Sequence, residues 1–125
     1  MVLVDTSVWV QHFRQNNPYL GNLLSNDLVL CHPFVLLEIA CGSPPSPRQQ
    51  TLAYLSKLQK IKTATTTEVL NFIESHDLYE SGCGAVDISL LASVLITPNA
   101  KLWTLDKKLD ALAVKTKVAF EPLPQ

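Results

Sequence analysis

Glycine is scarce in this chain of 125 residues: Gly21, Gly42, Gly82 and Gly84 are the full set. Neither a P-loop nor a dinucleotide-binding fingerprint can be assembled from them, which excludes both common nucleotide cradles. Cysteine is limited to Cys31, Cys41 and Cys83, an odd number without a CxxC pair. Each lies beside apolar or small residues, so the expectation is three buried free thiols in a reducing cytoplasm rather than a disulfide framework. Zinc is disfavoured too, because His12, His32 and His76 stand at no ligand spacing from the cysteines. An excess of one charge is also missing: ten basic and eleven acidic residues leave a net charge of −1, and no global field draws in a polyanion. No apolar run is long enough to span a bilayer, and no basic segment precedes the short apolar stretch before Asp5. Neither a signal peptide nor a membrane span is expected, and the reading is a cytoplasmic protein.

What the chain does have is apolar surface. Hydrophobic residues make up 47% and the mean hydropathy is +0.17, rich for a small soluble monomer and a hint that some of that surface meets a partner. Positive charge is gathered locally. Lys101, Lys107, Lys108, Lys115 and Lys117 face only Asp106 and Asp110 over the same stretch, and Lys57, Lys60 and Lys62 form a smaller group. Each group reads either as a phosphate-facing patch or as a solvated helix face.

Short apolar strands alternate with helices along the chain. Strands are expected at 2–4, 28–31, 61–63, 101–104 and 118–120, the third the weakest. Helices are expected at 6–15, capped by Thr6 or Ser7, and at 19–25, 33–42, 49–58, 67–79, 87–96 and 107–113. Pro33 suits a first helical position, and Gly42 with Pro44 and Pro45 ends that helix. The pattern indicates an α/β fold with a parallel sheet. Open sheets of this kind bind ligands outside the carboxyl ends of their strands, where Asp5 and Asp106 fall.

Four acids sit where apolar segments meet helices. Asp5 closes Val2-Leu3-Val4, Glu38 lies within Phe34-Val35-Leu36-Leu37, Asp87 opens a helix after Gly84-Ala85-Val86, and Asp106 follows Leu102-Trp103-Thr104-Leu105. Singly, each has an ordinary alternative: Asp87 and Asp106 as helix caps, Asp5 as a turn residue. Glu38 resists this, since its apolar neighbours predict burial and no basic residue lies within a helical turn. Gathered together, the four would repel, at about 4 kcal/mol for a pair 4 Å apart at an effective dielectric of 20. A divalent cation is the natural compensator, with Mg²⁺ or Mn²⁺ suited to hard oxygen ligands. Metal-assisted hydrolysis of a phosphodiester is the chemistry such a site implies. Ser7 and Thr104 offer hydroxyls to orient a carboxylate or the attacking water, and Asp110 is placed on the rim or as a partner for Lys107 or Lys108.

At these residues the chain resembles PIN-domain proteins, specifically the VapC-type toxin ribonucleases of bacterial toxin–antitoxin pairs. The segments carrying the resemblance are Val2-Leu3-Val4-Asp5-Thr6-Ser7-Val8-Trp9, Leu37-Glu38, Val86-Asp87-Ile88-Ser89-Leu90-Leu91-Ala92 and Leu102-Trp103-Thr104-Leu105-Asp106-Lys107-Lys108-Leu109, in the family's order. It implies a single PIN domain over 1–125, a three-layer sandwich whose short central parallel sheet of four to five strands is flanked by helices. It implies a metal-dependent endoribonuclease with Asp5, Glu38, Asp87 and Asp106 as its catalytic quartet. Mg²⁺ would be held chiefly by Asp5 and Asp87, with Mn²⁺ as a substitute and Glu38 and Asp106 completing the cluster. Ser7 and Thr104 would support that site, and Lys107 and Lys108 would contact substrate. It further implies an RNA substrate, a homodimer, inhibition by a small cognate antitoxin, and contact with operator DNA only through that antitoxin. Val86 departs from the family's frequent aromatic, which bears on substrate contacts.

Two other classes compete. A non-catalytic partner that binds an antitoxin and modulates its operator binding would account for the apolar composition. An aspartate-phosphorylating protein would need a second aspartate where Ser7 stands, or an acidic pair that the chain lacks.

Overall fold

The computed structural model describes residues 1–122. Four strands, β1 (Val2–Val4), β2 (Val29–Cys31), β3 (Gln59–Lys60) and β4 (Lys101–Trp103), alternate with seven helices. These are α1 (Thr6–Arg14), α2 (Pro18–Ser25), α3 (Pro33–Cys41), α4 (Arg48–Ser56), α5 (Thr66–Ser75), α6 (Ala85–Leu95) and α7 (Lys107–Lys115). All pairings are parallel, in the order β3-β2-β1-β4. A single bridge, Leu102 to Ala119, extends the sheet beyond β4. The expected strand at 118–120 is therefore only a bridge, which fits a sheet of four strands with a rudimentary fifth.

Order and handedness together place the helices. From β1 to β2 to β3 the chain steps one way across the sheet; from β3 it crosses back past β1 to β4. Right-handed crossovers then put α1–α4 on one face and α5–α7 on the other. The packing of α1 on α3, α3 on α4, α5 on α6 and α6 on α7 agrees. The expected three-layer α/β architecture is what the chain adopts. Its topological switch point lies between β1 and β4, and ligands of open parallel sheets bind at such a point.

The central strand is apolar on both sides: Leu3 and Val4 are fully buried, as are Leu102, Leu90, Leu91 and Leu109 around them. Period-2 alternation is absent because helices cover both faces. Helix α6 is likewise enclosed, with Ile88 and every residue from 90 to 94 buried, so the narrower apolar face expected from Ile88, Leu91 and Leu95 understates its burial. At the head of α3, the His32 Nδ1 accepts the Phe34 N–H at 3.0 Å, which leaves its proton on Nε2. Burial holds this imidazole below its ordinary pKa.

Three expectations are corrected. The third strand lies at Gln59–Lys60, not 61–63: main-chain pairing with Leu30 and Cys31 sets it, whereas apolar Ile61 only continues the ladder through its N–H to Cys31 O at 3.1 Å. The helix expected at 67–79 stops at Ser75. There Asp77 turns left-handed (φ 51°), and Leu78 N–H bonds back to Ile73 O at 2.9 Å, a Schellman stop that drops Leu78 into the core. Of the thiols, Cys31 alone is buried; Cys83 is half-buried and Cys41 exposed, because Cys41 ends α3 on its outer side.

The same left-handed stop recurs after α2 at Asp27 (φ 56°) and after α7 at Lys117 (φ 65°), with Leu28 N–H to Leu23 O at 3.0 Å and Val118 N–H to Ala113 O at 2.9 Å. No glycine serves these positions, although glycine avoids the strain a side chain meets there. Lys117→Gly is expected to stabilise the fold by roughly 0.5–1 kcal/mol, and Asp27→Gly by less, since aspartate tolerates the left-handed region better. Chemical denaturation of the two variants checks both the sign and the order.

Candidate active site

The carboxyl end of β1 delivers Asp5 to the switch point. Its N–H donates to Trp103 O at 2.9 Å, extending the ladder with β4 by one bond, and the residue is only 6% exposed. A carboxylate so enclosed needs donors. Oδ2 accepts the hydroxyl of Ser7 at 2.8 Å and that of Thr104 at 2.7 Å. Each hydroxyl accepts a main-chain N–H in return, Leu105 to Ser7 Oγ at 3.0 Å and Asp106 to Thr104 Oγ1 at 3.1 Å. Asp5 also holds the N-cap position of α1, yet its side chain makes no capping bond. The expected cap by Thr6 or Ser7 is corrected accordingly: Ser7's hydroxyl is committed to Asp5 and Leu105.

Glu38 comes from the second turn of α3. Contrary to expectation it is exposed. The helix is apolar nearly all round and leaves Leu37 and Phe34 in solvent as well, so apolar neighbours in sequence gave a false sign of burial. Its Oε1 accepts the Thr6 hydroxyl at 2.7 Å, across the packing of α1 on α3. Thr6 is the residue sequence reasoning missed. Nothing in the chain pairs it with a glutamate 32 positions on.

Asp106 is the N-cap of α7, where its Oδ1 accepts the Leu109 N–H at 2.9 Å. The helix-cap alternative is thus real for Asp106, and it uses one oxygen of two. Asp87 lies in the first turn of α6 rather than at its cap, which is Gly84. Buried on its far side, α6 holds Asp87 in a fixed place at the edge of the sheet.

Asp87 ties the four together electrostatically. Its carboxyl is raised above the ordinary aspartate pKa, first by burial and then by the charges of Asp5, Asp106 and Glu38. Three carboxylates therefore lie near enough to act on the fourth. Asp5, Glu38 and Asp106 each give one oxygen to a protein donor, and among the described residues the second oxygen of each has no side-chain donor. Among the described residues no three His, Cys, Asp or Glu side chains already close around a single point. The carboxylates share a field and stand apart within it, as like charges do. This all-oxygen donor set fits a hard divalent cation, which would draw the group together.

Lys107 and Lys108 are both exposed in the first turn of α7. Lys108 lies along Gly82: a Cβ built there would stand 2.8 Å from its Cδ and 3.1 Å from its Nζ. With φ +86°, Gly82 supplies both the turn and the space, and the lysine crosses the loop that leads to Asp87. Beside it, the Cys83 thiol is pushed up in pKa by burial and by Asp87, with Lys108 pulling the other way.

No family model matches the chain. Two curated relatives do, both named Ribonuclease VapC32, from Mycobacterium tuberculosis strains CDC 1551 / Oshkosh and ATCC 25618 / H37Rv. Each is 42% identical over 120 residues, covering 96% of this chain and 96% of the relative.

Repulsion at Asp87 has a measurable sign. A carboxyl with a raised folded pKa contributes its stability below the ordinary value of 3.8 and loses it as pH rises through the folded value. In chelator at neutral pH, Asp87→Asn is expected to be the more stable protein. The gain should stay under about 1 kcal/mol, because the group is only half-buried and its charges are partly screened. Thermal unfolding from pH 7 downward should show the gap closing as Asp87 takes up its proton.

Proposed function

The chain belongs to the VapC family of ribonucleases, and on that premise we propose that it is the endoribonuclease toxin of a type II toxin–antitoxin pair, cutting RNA at a Mg²⁺ site. Asp5 and Asp87 are the residues that hold the ion, with Mn²⁺ as a substitute, and Glu38 and Asp106 complete the cluster. The observation that supports this reading is the buried Asp5 carboxylate, held by Ser7 and Thr104 at the switch point of a parallel sheet, with the charges of Asp5, Asp106 and Glu38 all acting on Asp87.

Mg²⁺, when bound, supplies a nucleophile at neutral pH and stabilises charge on the phosphoryl group. The chain's own residues do the rest. Ser7 and Thr104 fix Oδ2 of Asp5, so that Oδ1 faces the site in one orientation. Leu109 N–H does the same for Asp106. Glu38, exposed and among the described residues hydrogen-bonded through Oε1, offers Oε2 to accept a proton from the water that attacks phosphorus. One P–O bond breaks, and the leaving oxygen takes a proton from solvent. Lys107 and Lys108, on the rim of α7, meet the RNA phosphates. With a net charge of −1, these local lysines must hold a strand that the overall field does not attract.

An inhibitory antitoxin and a second copy of the chain are the partners of this reading. Val10, Phe34 and Leu37 are exposed on α1 and α3 next to Glu38, and a shallow groove lined by Val10, Phe13, Ile39 and Pro44 opens beside that carboxylate. Operator DNA would be met only through the antitoxin. Among the described residues no helix is long and apolar enough to cross a membrane.

Cleavage of a panel of structured RNAs tests the proposal. Asp5→Asn should lower the rate about a hundredfold or more, the cost of removing a group that meets charge in the transition state, while circular dichroism stays unchanged. Chelation should abolish cleavage, and Mg²⁺ or Mn²⁺ should restore it. Cutting that survives both the substitution and the chelator would refute the assignment.

A further inference from the structure

Glu38 is an exposed member of the quartet carried within a helix, separate from the strand ends that fix Asp5 and Asp106. A glutamate has three rotatable side-chain bonds, and an exposed one samples many rotamers. Among the described residues its anchor is the Thr6 hydroxyl, which donates to Oε1 at 2.7 Å, a well-formed hydrogen bond. Thr6 is placed for this by being the first residue of α1, one position past the N-cap Asp5, while Ser7 is bound to Asp5 and Leu105. Thr6 also follows Asp5 directly, so one main-chain segment sets Asp5 and reaches Glu38.

The geometry points to Thr6 as a positioning residue that holds Glu38 toward Asp5 and Asp87, and so sets how tightly the acidic cluster grips a divalent cation. This rests on the quartet reading given above. Threonine contributes here what a base does not, since its hydroxyl orients the carboxylate and leaves the full negative charge in place. Without it, Glu38 keeps its helix position but swings into solvent, and the negative field at Asp87 weakens. Residues that orient metal ligands are commonly worth ten- to a hundredfold in affinity.

The experiment is Mn²⁺ binding to the RNA-free protein, read by electron paramagnetic resonance of the free ion, with RNA cleavage measured over a range of Mn²⁺ concentrations. Thr6→Val, matched in shape, should weaken binding about tenfold and raise the Mn²⁺ needed for half-maximal cleavage, with the rate recovering at saturating ion. Thr6→Ser keeps the donor and should bind within about twofold of the parent. In a Glu38→Gln background, Thr6→Val should add nothing. Undiminished Mn²⁺ binding by Thr6→Val, or an equal loss with and without Glu38, would overturn the assignment. If Asp5→Asn and Glu38→Gln both bind Mn²⁺ as the parent does, the quartet reading has failed, and the positioning role falls with it.

Discussion

Two hydroxyls on one carboxylate oxygen hold this molecule's working end together. Asp5 Oδ2 accepts hydrogen bonds from Ser7, two residues along its own chain, and from Thr104, across the sheet at the end of β4. Those bonds join the two strands that meet at the topological switch point, and both hydroxyls anchor the main chain that leads into α7. Strands of three residues pair through few ladder bonds, so this side-chain lock carries register as well as chemistry. Val4 opposite Trp103, followed by Asp5 N–H to Trp103 O, is the register that brings Asp106 to the same edge as Asp5.

Holding like charges together works against folding, and the design of the surrounding core answers it. The site sits on the most enclosed elements: β1 between two strands and two helical layers, and α6 buried along most of its length. Each fully buried leucine contributes on the order of 1.5–3 kcal/mol, and Leu3, Leu90, Leu91, Leu102 and Leu109 all lie within this region. The carboxylates are also graded in exposure. Asp5 is buried, Asp87 half-buried, Glu38 and Asp106 exposed, so the group is spread from the sheet's edge into solvent. Screening therefore relieves part of the repulsion, and a cation has an open approach.

How far the sequence foretold this depended on what each feature obeys. Strand and helix order followed from short apolar runs, because burial on both faces of a parallel sheet leaves that signature directly. Helix ends are legible at Ser25 and less so elsewhere: Asp77 and Lys117 stop α5 and α7 in left-handed turns that residue type does not announce. The strand at Gln59–Lys60 was misplaced by two residues, since an exposed edge pair bonds through its main chain and leaves no apolar trace. Glu38 was legible as a member of the acidic set and illegible in its surroundings. An apolar helix with exposed Phe34 and Leu37 looks like a buried one until its neighbours are known. Thr6 was invisible because its partner lies 32 residues away, and only the packing of α1 on α3 introduces them.

The choice of donor runs consistently through the site and follows from what it must hold. Asp5, Glu38 and Asp106 are oriented by hydroxyls or a main-chain N–H, groups that fix direction without cancelling charge. A lysine or arginine at any of these positions would form a stronger pair and would lower the carboxylate's pKa. On the reading proposed above, it would also fill the place of the cation and remove the charge that attracts it. The nearby basic side chain, Lys108, is laid along Gly82 on the rim, where it can meet a phosphate without occupying the centre. Neutral donors inside and cations outside is the arrangement expected of a site that must remain negative until an ion arrives, and that must then admit a polyanion beside it.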